Sequence, residues 1–286
     1  MKRLFSNIPS LIAGFALLLQ MVSLSAFAAE AVVPDAPPLN FGSVAMDIPA
    51  MMYQRLKPLT DYLSKELKRP ISLRLSKDLS QAADAVAKGE VDIAYLTPVA
   101  YIKAHNEGGA RLVAKMITKG ASSFKLMLVT RENSPIKTPA DLVGKSFAFG
   151  DPAAILQRAV VVSAGVKLEN LGSYKFIGHY DNIARGVLNG DFDAGIVKDT
   201  TAYQWQKKGL RVIYASPDLP PYNIVVSRNV SSDLYRKIQK AFLNLNPKNP
   251  AQLAVIKSLD PDYDGFVKTS DAEYNVIRSL IKPFQK

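Results

Sequence analysis

The chain has 286 residues, 36 Lys and Arg against 25 Asp and Glu for a formal net charge of +11, and no cysteine. The missing thiols exclude disulfides, thiolate metal sites and cysteine nucleophiles.

Lys2 and Arg3 open the chain, residues 11–24 carry no charge, and Ala26-Phe27-Ala28 has the small-x-small pattern of a signal peptidase site. The apolar run is short for a bilayer span. It therefore reads as a signal peptide over residues 1–28, with the mature chain beginning near Ala29 and a proline-rich leader over 29–38. A lipid anchor would need a cysteine after the signal, so the mature protein is expected to be free and soluble. A freely diffusing export product is retained only inside a second membrane, which points to a Gram-negative periplasm. About 258 residues remain, enough for two domains. Loss of Lys2 and Arg3 lowers the charge to about +9. That surplus reads as a solvated basic surface or as attraction for an anionic solute. Export, and the lack of a basic run interleaved with aromatics, argue against nucleic acid.

In chain order, residues 39–45 read as a strand and 47–49 as a loop. Residues 51–67 follow as a helix with Met52, Leu56, Leu59, Leu63 and Leu67 on one face. Pro58 should kink or divide it. A strand follows at 71–75, a helix at 80–89 and a strand at 91–95. Thr97-Pro98 can cap and open the next helix. Residues 111–117 and 124–130 are strands. Residues 134–142 form a turn and short helix, 145–149 a strand, 151–164 a helix opened by Asp151-Pro152, and 174–177 a strand. A helix over 181–190 is followed by a strand, and further strands lie at 211–215 and 223–227. Residues 232–245, 250–259 and 271–283 read as helices.

Two of these segments repeat each other. Residues 80–89 (SQAADAVAKG) and 181–190 (DNIARGVLNG) each run from a capping residue, here Ser80 and Asp181, to a glycine suited to a helix end. Each is followed by acid, apolar, Asp, apolar and small residues: Glu90–Ala94 and Asp191–Gly195. Strands alternating with helices, with this unit written twice, predict an α/β protein of two lobes, each a mostly parallel sheet flanked by helices. A ligand crevice between lobes is the expected binding place. Chain crossings are expected near 129–132 and 222–226. Lobe 1 would then comprise 39–129 and 223–286, and lobe 2 would comprise 130–222.

Several segments together carry a family resemblance: 51–67 (MMYQRLKPLTDYLSKEL), 89–101 (GEVDIAYLTPVAY), 145–152 (KSFAFGDP), 178–195 (GHYDNIARGVLNGDFDAG) and 219–228. In this order the chain resembles the phosphate/phosphite/phosphonate-binding proteins of ABC importers, which have the type 2 periplasmic binding protein fold. The resemblance implies a small-molecule solute and a membrane permease as partners, with no cofactor and no enzymatic activity. It departs at two points: downstream, where members often carry a carboxylate for the ligand's amine, Asp199-Thr200 only roughly covers the stretch, and the other departure matters more. After the Asp-Pro the family usually has a Ser-Thr-Ser run holding the phosphonate, and here Ala154, Ile155 and Leu156 stand there. Backbone amides and the helix end are still expected to receive an anion.

The resemblance puts Tyr95 in the pocket, beside Thr97 and Pro98 at a strand end and helix start, and puts His179, with Tyr180 and Asp181, at the matching place in lobe 2. Asp151, Ala153, Ala154 and Ile155 line the helix start of the departed motif. Lys198 and Asp199 occupy the repeat position of Thr97-Pro98. Tyr53 and Asp47 are candidate wall residues of lobe 1, and His105 fits a helix end with no further role. Residues 260–271 copy a calcium-loop spacing. Asp271 stands where a glutamate belongs, Lys268 brings a positive charge and Pro261 stiffens the entry, so no metal is expected.

The leading reading is therefore a monomeric periplasmic solute receptor for a small, anionic solute that feeds an ABC importer. The alternative is a sensory binder presenting its ligand to a membrane receptor kinase or cyclase, which the altered helix start would suit. A periplasmic enzyme lacks support: there is no Gly-x-Ser-x-Gly elbow, and the two histidines lie far apart in sequence.

Overall fold

The computed structural model describes residues 37–44 and 49–285. The signal peptide, most of the leader and Asp47 lie outside these residues.

Strand β1 (Leu39–Val44) leads to helix α1 (Pro49–Leu67), which buries the apolar face read from the sequence. Pro58 does not divide it. The proline lies on the exposed side while Leu56 and Leu59, on either side of it, are fully buried, so packing holds the helix through the lost backbone hydrogen bond. Then come β2 (Ile71–Ser76), α2 (Leu79–Lys88), β3 (Ile93–Leu96), α3 (Pro98–Gly108) and β4 (Arg111–Thr118).

The second half begins with β5 (Leu126–Arg131), β6 (Ser146–Phe149), α4 (Ile155–Ser163) and β7 (Ser173–Phe176). It continues through α5 (Tyr180–Asn189), β8 (Ala194–Lys198), α6 (Asp199–Gln206) and β9 (Leu210–Ala215). The chain ends with β10 (Asn223–Val226), α7 (Ser232–Leu243), α8 (Pro250–Lys257), β11 (Tyr263–Val267) and α9 (Asn275–Ile281).

The strands form a six-stranded sheet, β11-β4-β10-β3-β1-β2, and a five-stranded sheet, β7-β6-β8-β5-β9. In the first, four strands run one way and β10 and β11 run against them; in the second only β5 is reversed. Each sheet is covered on both faces. One apolar cluster lies between the first sheet and α1, α7 and α8, and another lies between the second sheet and α5 and α6. A third is shared: Ala82, Val86 and Tyr101 from the first sheet's other side meet Phe147, Phe149 and Val160 from the second.

The repeated sentence is a repeated joint. Gly89 and Gly190 end α2 and α5 with φ of 77° and 90°, a left-handed turn that glycine adopts without strain. The aspartates that follow clasp the neighbouring strand. Asp92 accepts from the Asn40 N–H at 2.8 Å, and Asp193 accepts from both the N–H and the hydroxyl of Ser146 at 2.9 Å. The caps lie earlier than the sequence pattern indicates. Asp78, not Ser80, caps α2 through the Gln81 N–H, and His179, not Asp181, stands at the start of α5.

Two boundaries need correction. Strand β5 pairs with β8 and β9, so the outgoing crossing is 119–125 rather than 129–132, and β5 belongs wholly to the second sheet. The returning crossing is 216–222. A buried apolar strand reads the same whichever sheet it joins, and only its hydrogen-bond partners differ. The C-terminal helix does not belong to lobe 1 alone: α9 packs on α4 as well as α3. The calcium-like spacing runs through β11 instead of forming a loop between helices. Among the described residues no cluster of three or more His, Cys, Asp or Glu can hold a metal.

Helix α9 is tied down by a buried Tyr101–Tyr274 ring contact at 4.7 Å and by Asp271, which accepts from Tyr101 and Arg278. Ile277 and Ile281 are buried in the shared cluster. Truncating the chain after Tyr274 should therefore strip the cover from α4, at a cost of about 1.5–3 kcal/mol for each isoleucine. Thermal unfolding of the truncated protein should show a melting point lower by several degrees; an unchanged one would mean α9 contributes no burial that matters.

Candidate functional site

A cavity of about 770 Å³ lies where the two crossing strands meet the starts of four helices. From the first sheet come Asp78, Leu79 and Ser80 at the start of α2, and Thr97, Pro98, Val99, Ala100 and Lys103 on α3. The crossing region contributes Phe124, Leu126 and Tyr222. From the second sheet come Asp151 and 153–157 at the start of α4, and Gly178, His179 and Tyr180 before and at the start of α5. Helices start here because each strand ends at the same edge of its sheet, and the turn after it delivers the next helix.

Of the residues expected from the sequence, the structure brings together Thr97, Pro98, Asp151, Ala153, Ala154, Ile155, His179 and Tyr180 around this cavity. Four lie elsewhere. Tyr95 is 4% exposed and packs on the far face of the first sheet with Ile93, because alternate strand residues point to opposite faces. Its hydroxyl meets that of Tyr263, and its ring stacks on Tyr222 at 5.0 Å. Tyr95 thus stands behind a wall residue. Asp181 accepts from the Trp205 indole N–H at 2.9 Å and joins α5 to α6. Asp199 accepts from the Lys125 N–H at 2.9 Å, anchoring the outgoing crossing, and Lys198 sits 5.5 Å from the centre of the Phe124 ring. Tyr53 is half exposed, with its hydroxyl on the Leu73 carbonyl.

The wall residues that pattern reading missed are chiefly Phe124, Leu126, Tyr222, Lys103 and Gln157. Phe124 and Tyr222 lie on the two crossings and Leu126 opens β5 directly after the first, so correctly placed crossings point to them. Gln157 had no signal beyond being a polar residue on an otherwise apolar helix stretch.

The start of α4 departs from expectation. The helix begins at Ile155, a turn later than Asp151-Pro152 suggests. The Ala153 N–H is taken by the Asp151 carboxylate at 2.7 Å, the Ala154 N–H by the Asp151 carbonyl, the Ile155 N–H by the Ala153 carbonyl and the Gln157 N–H by the Ala154 carbonyl. These four amides are engaged within the chain and do not await an anion.

Charge on the wall is modest. Asp78 and Asp151 are carboxylates already serving local N–H groups. Lys103, the only Lys or Arg on the wall among the described residues, is paired with Asp84 and donates to the Ser80 hydroxyl at 2.7 Å. Burial pushes the Tyr180 hydroxyl up to about 12, against the opposing effect of the Gln157 amide. Burial also raises Tyr222, reinforced by the negative charges of Asp260 and Asp151. Both phenols are therefore neutral donors at any physiological pH.

Comparison with known proteins agrees with this architecture. Residues 41–274 match the family described as ABC transporter, phosphonate, periplasmic substrate-binding protein. The chain belongs to that family. It is 25% identical over 258 residues to the phosphonates-binding periplasmic protein of Escherichia coli, covering 85% of this chain and 75% of that protein. Among solved structures, a Xanthomonas citri protein, XAC2383, bound to ATP has a TM-score of 0.71 at 18% identity, over 86% of this chain and 96% of that one. PhnD1 of Prochlorococcus marinus in complex with methylphosphonate has a TM-score of 0.68 at 17% identity, over 86% and 97%. These structural likenesses establish the two-sheet binding-protein fold. Membership makes the chain the periplasmic solute-binding component of an ABC importer, with a membrane permease and a small molecule as its partners.

Tyr95 generates a clear expectation. Tyr95→Ala should destabilise the free protein by about 3–5 kcal/mol, as truncations of large buried aromatics do. Tyr95→Phe, which loses only the Tyr263 contact, should cost about 1 kcal/mol. Denaturant unfolding of both variants measures the difference; equal and negligible losses would mean the side chain is not in the core.

Proposed function

We propose that the mature protein, released from its signal peptide, is a periplasmic receptor that closes on a small anionic organic solute and presents it to the permease. The reading rests on one observation above the others: a cavity walled by elements of both sheets and lying beside the paired ribbon formed by the two crossings. A solute touching both walls favours approach of the two halves, and closure removes it from water. The ribbon is 119–125 and 216–222, where Phe124 and Leu219 exchange both backbone hydrogen bonds, at 3.0 and 2.8 Å.

The same reading holds the protein to be a monomer without catalytic activity and without affinity for nucleic acid. Its wall carries no nucleophile raised by a base, and the family binds solutes rather than converting them. No helix among the described residues is long and apolar enough to cross a membrane, which suits a receptor that meets its permease from outside.

The experiment is a thermal-shift screen of the mature protein against phosphonates, inorganic oxyanions, amino acids and small organic acids, since a ligand specific to the native state raises the melting point. The best ligand is then carried into small-angle scattering. The bound protein should have the smaller radius of gyration, and an identical profile at saturation would count against closure. His179→Ala should weaken that ligand with little effect on the melting point of the free protein, because the side chain is exposed at the rim.

A further inference from the structure

The positive charge of the chain is gathered on one layer. Residues 29–286 contain 34 Lys and Arg against 25 Asp and Glu. Residues 49–70 hold α1 and the turn after it, and residues 231–259 hold α7 and α8. Together these two segments carry 10 of the cations and only 3 of the carboxylates. The other residues are close to balance, with 24 against 22. The fold brings the two segments together: α1 packs on both α7 and α8, and all three turn their apolar sides to the same face of the first sheet. Their outer sides, with the turns at the ends of α1 and α7, make one side of the first half basic. Eight of the ten cations are exposed, among them Lys65, Lys240, Lys248 and Lys257. Asp61 and Asp233 are each paired with a basic neighbour one turn away.

None of the ten lines the solute cavity, where Lys103 is the wall lysine. The surplus is therefore a property of an outer surface and not of the solute site. Charge that serves solubility alone is spread with both signs mixed, and here it is one-sided. The makeup of the layer indicates its partner. Seven of the ten are lysines, compact point charges on flexible stems. They suit a diffuse array of phosphates and lack the planar fork that reads a single carboxylate. The large apolar residues exposed on the layer are Met51 and Tyr53, both at the start of α1. The rest of the outer side lacks the aromatic centre of a protein–protein interface. A periplasmic component has to meet a permease held in a membrane, and anionic lipid headgroups present such a phosphate array.

We propose that the layer of α1, α7 and α8 is a docking surface for anionic phospholipid, which holds the protein against the membrane where its permease lies. The attraction is reversible and shared among many lysines, and it decays over about 10 Å at about 0.1 M salt.

Sedimentation of the mature protein with vesicles tests it, using phosphatidylcholine alone or with about one-third phosphatidylglycerol, at about 0.1 M salt. The anionic vesicles should be bound at least about ten-fold more tightly than the neutral ones, and the protein should leave them at about 0.5 M salt. Lys65→Glu, Lys240→Glu and Lys257→Glu combined, one reversal on each helix, should weaken that binding by at least about ten-fold. Lys137→Glu, Lys167→Glu and Lys207→Glu combined reverse as many exposed lysines on the second half and reach the same net charge. This control should lose no more than about three-fold, since charges remote from the contact are screened. Thermal unfolding checks that both variants stay folded. Should the first be unstable, Lys65→Gln, Lys240→Gln and Lys257→Gln combined should show a smaller loss in the same direction.

Equal binding to the two kinds of vesicle, no binding to either, or equal losses in the two reversal variants would overturn the proposal. An unchanged affinity in the glutamine variant would do the same. Capture of polyglutamate without vesicle binding would overturn it as well, and would give the layer to an acidic protein. The layer and the solute cavity are separate surfaces, so each of these results leaves the receptor reading to its own test in the solute panel.

Discussion

The backbone pairing of Phe124 with Leu219 is the constraint on which the rest depends. Two crossings that hydrogen-bond to each other cannot drift independently, so the two sheets are joined along one ribbon and not by two separate tethers. The edges where helices start must then face each other across that ribbon, and the cavity lies against it. Phe124, Leu126 and Tyr222 are wall residues for this reason and not because of any motif they form. Asp199 strengthens the same point from the second sheet by accepting from the Lys125 N–H.

The C-terminal helix adds a second connection of a different kind. Through α9 the chain, having returned to the first sheet, reaches back to α4 and shares an apolar cluster with both halves. Asp271 anchors its beginning: burial opposes ionisation of that carboxyl, but hydrogen bonds from Arg278 and Tyr101 outweigh it and hold the group below its ordinary range. A depressed carboxylate contributes stability that is present above its unfolded pKa and is lost as pH falls through the folded one, so this anchor weakens only in acid. Helix α4 is thus gripped on one side by α9 while its first turn faces the solute cavity. Any movement of the two halves has to be accommodated by that grip as well as by the ribbon.

The resemblance read from the sequence implies hydroxyl residues at the start of α4. This chain carries Ala154, Ile155 and Leu156 there, and the amides of Ala153, Ala154, Ile155 and Gln157 are satisfied locally. Tyr180 and Tyr222, whose hydroxyls burial keeps neutral at physiological pH, line the same cavity. The joints of the fold, Gly89 with Asp92 and Gly190 with Asp193, lie away from the residues that line the cavity.

The sequence by itself determined the α/β class, the order of nearly all elements and the repeated joint, because these follow from local periodicity, glycine conformations and capping chemistry within a few residues. It also marked eight residues of the cavity wall, most of which sit where a strand ends and a helix begins. Only the tertiary structure decided which sheet β5 joins, where the crossings lie and that α9 returns to α4, since hydrogen-bond partners and packing partners far along the chain leave no local trace. It likewise decided that Tyr95 faces the core and Tyr222 the cavity. One residue of strand register reverses a side chain's direction, and no property of a tyrosine announces which face of a sheet it will occupy.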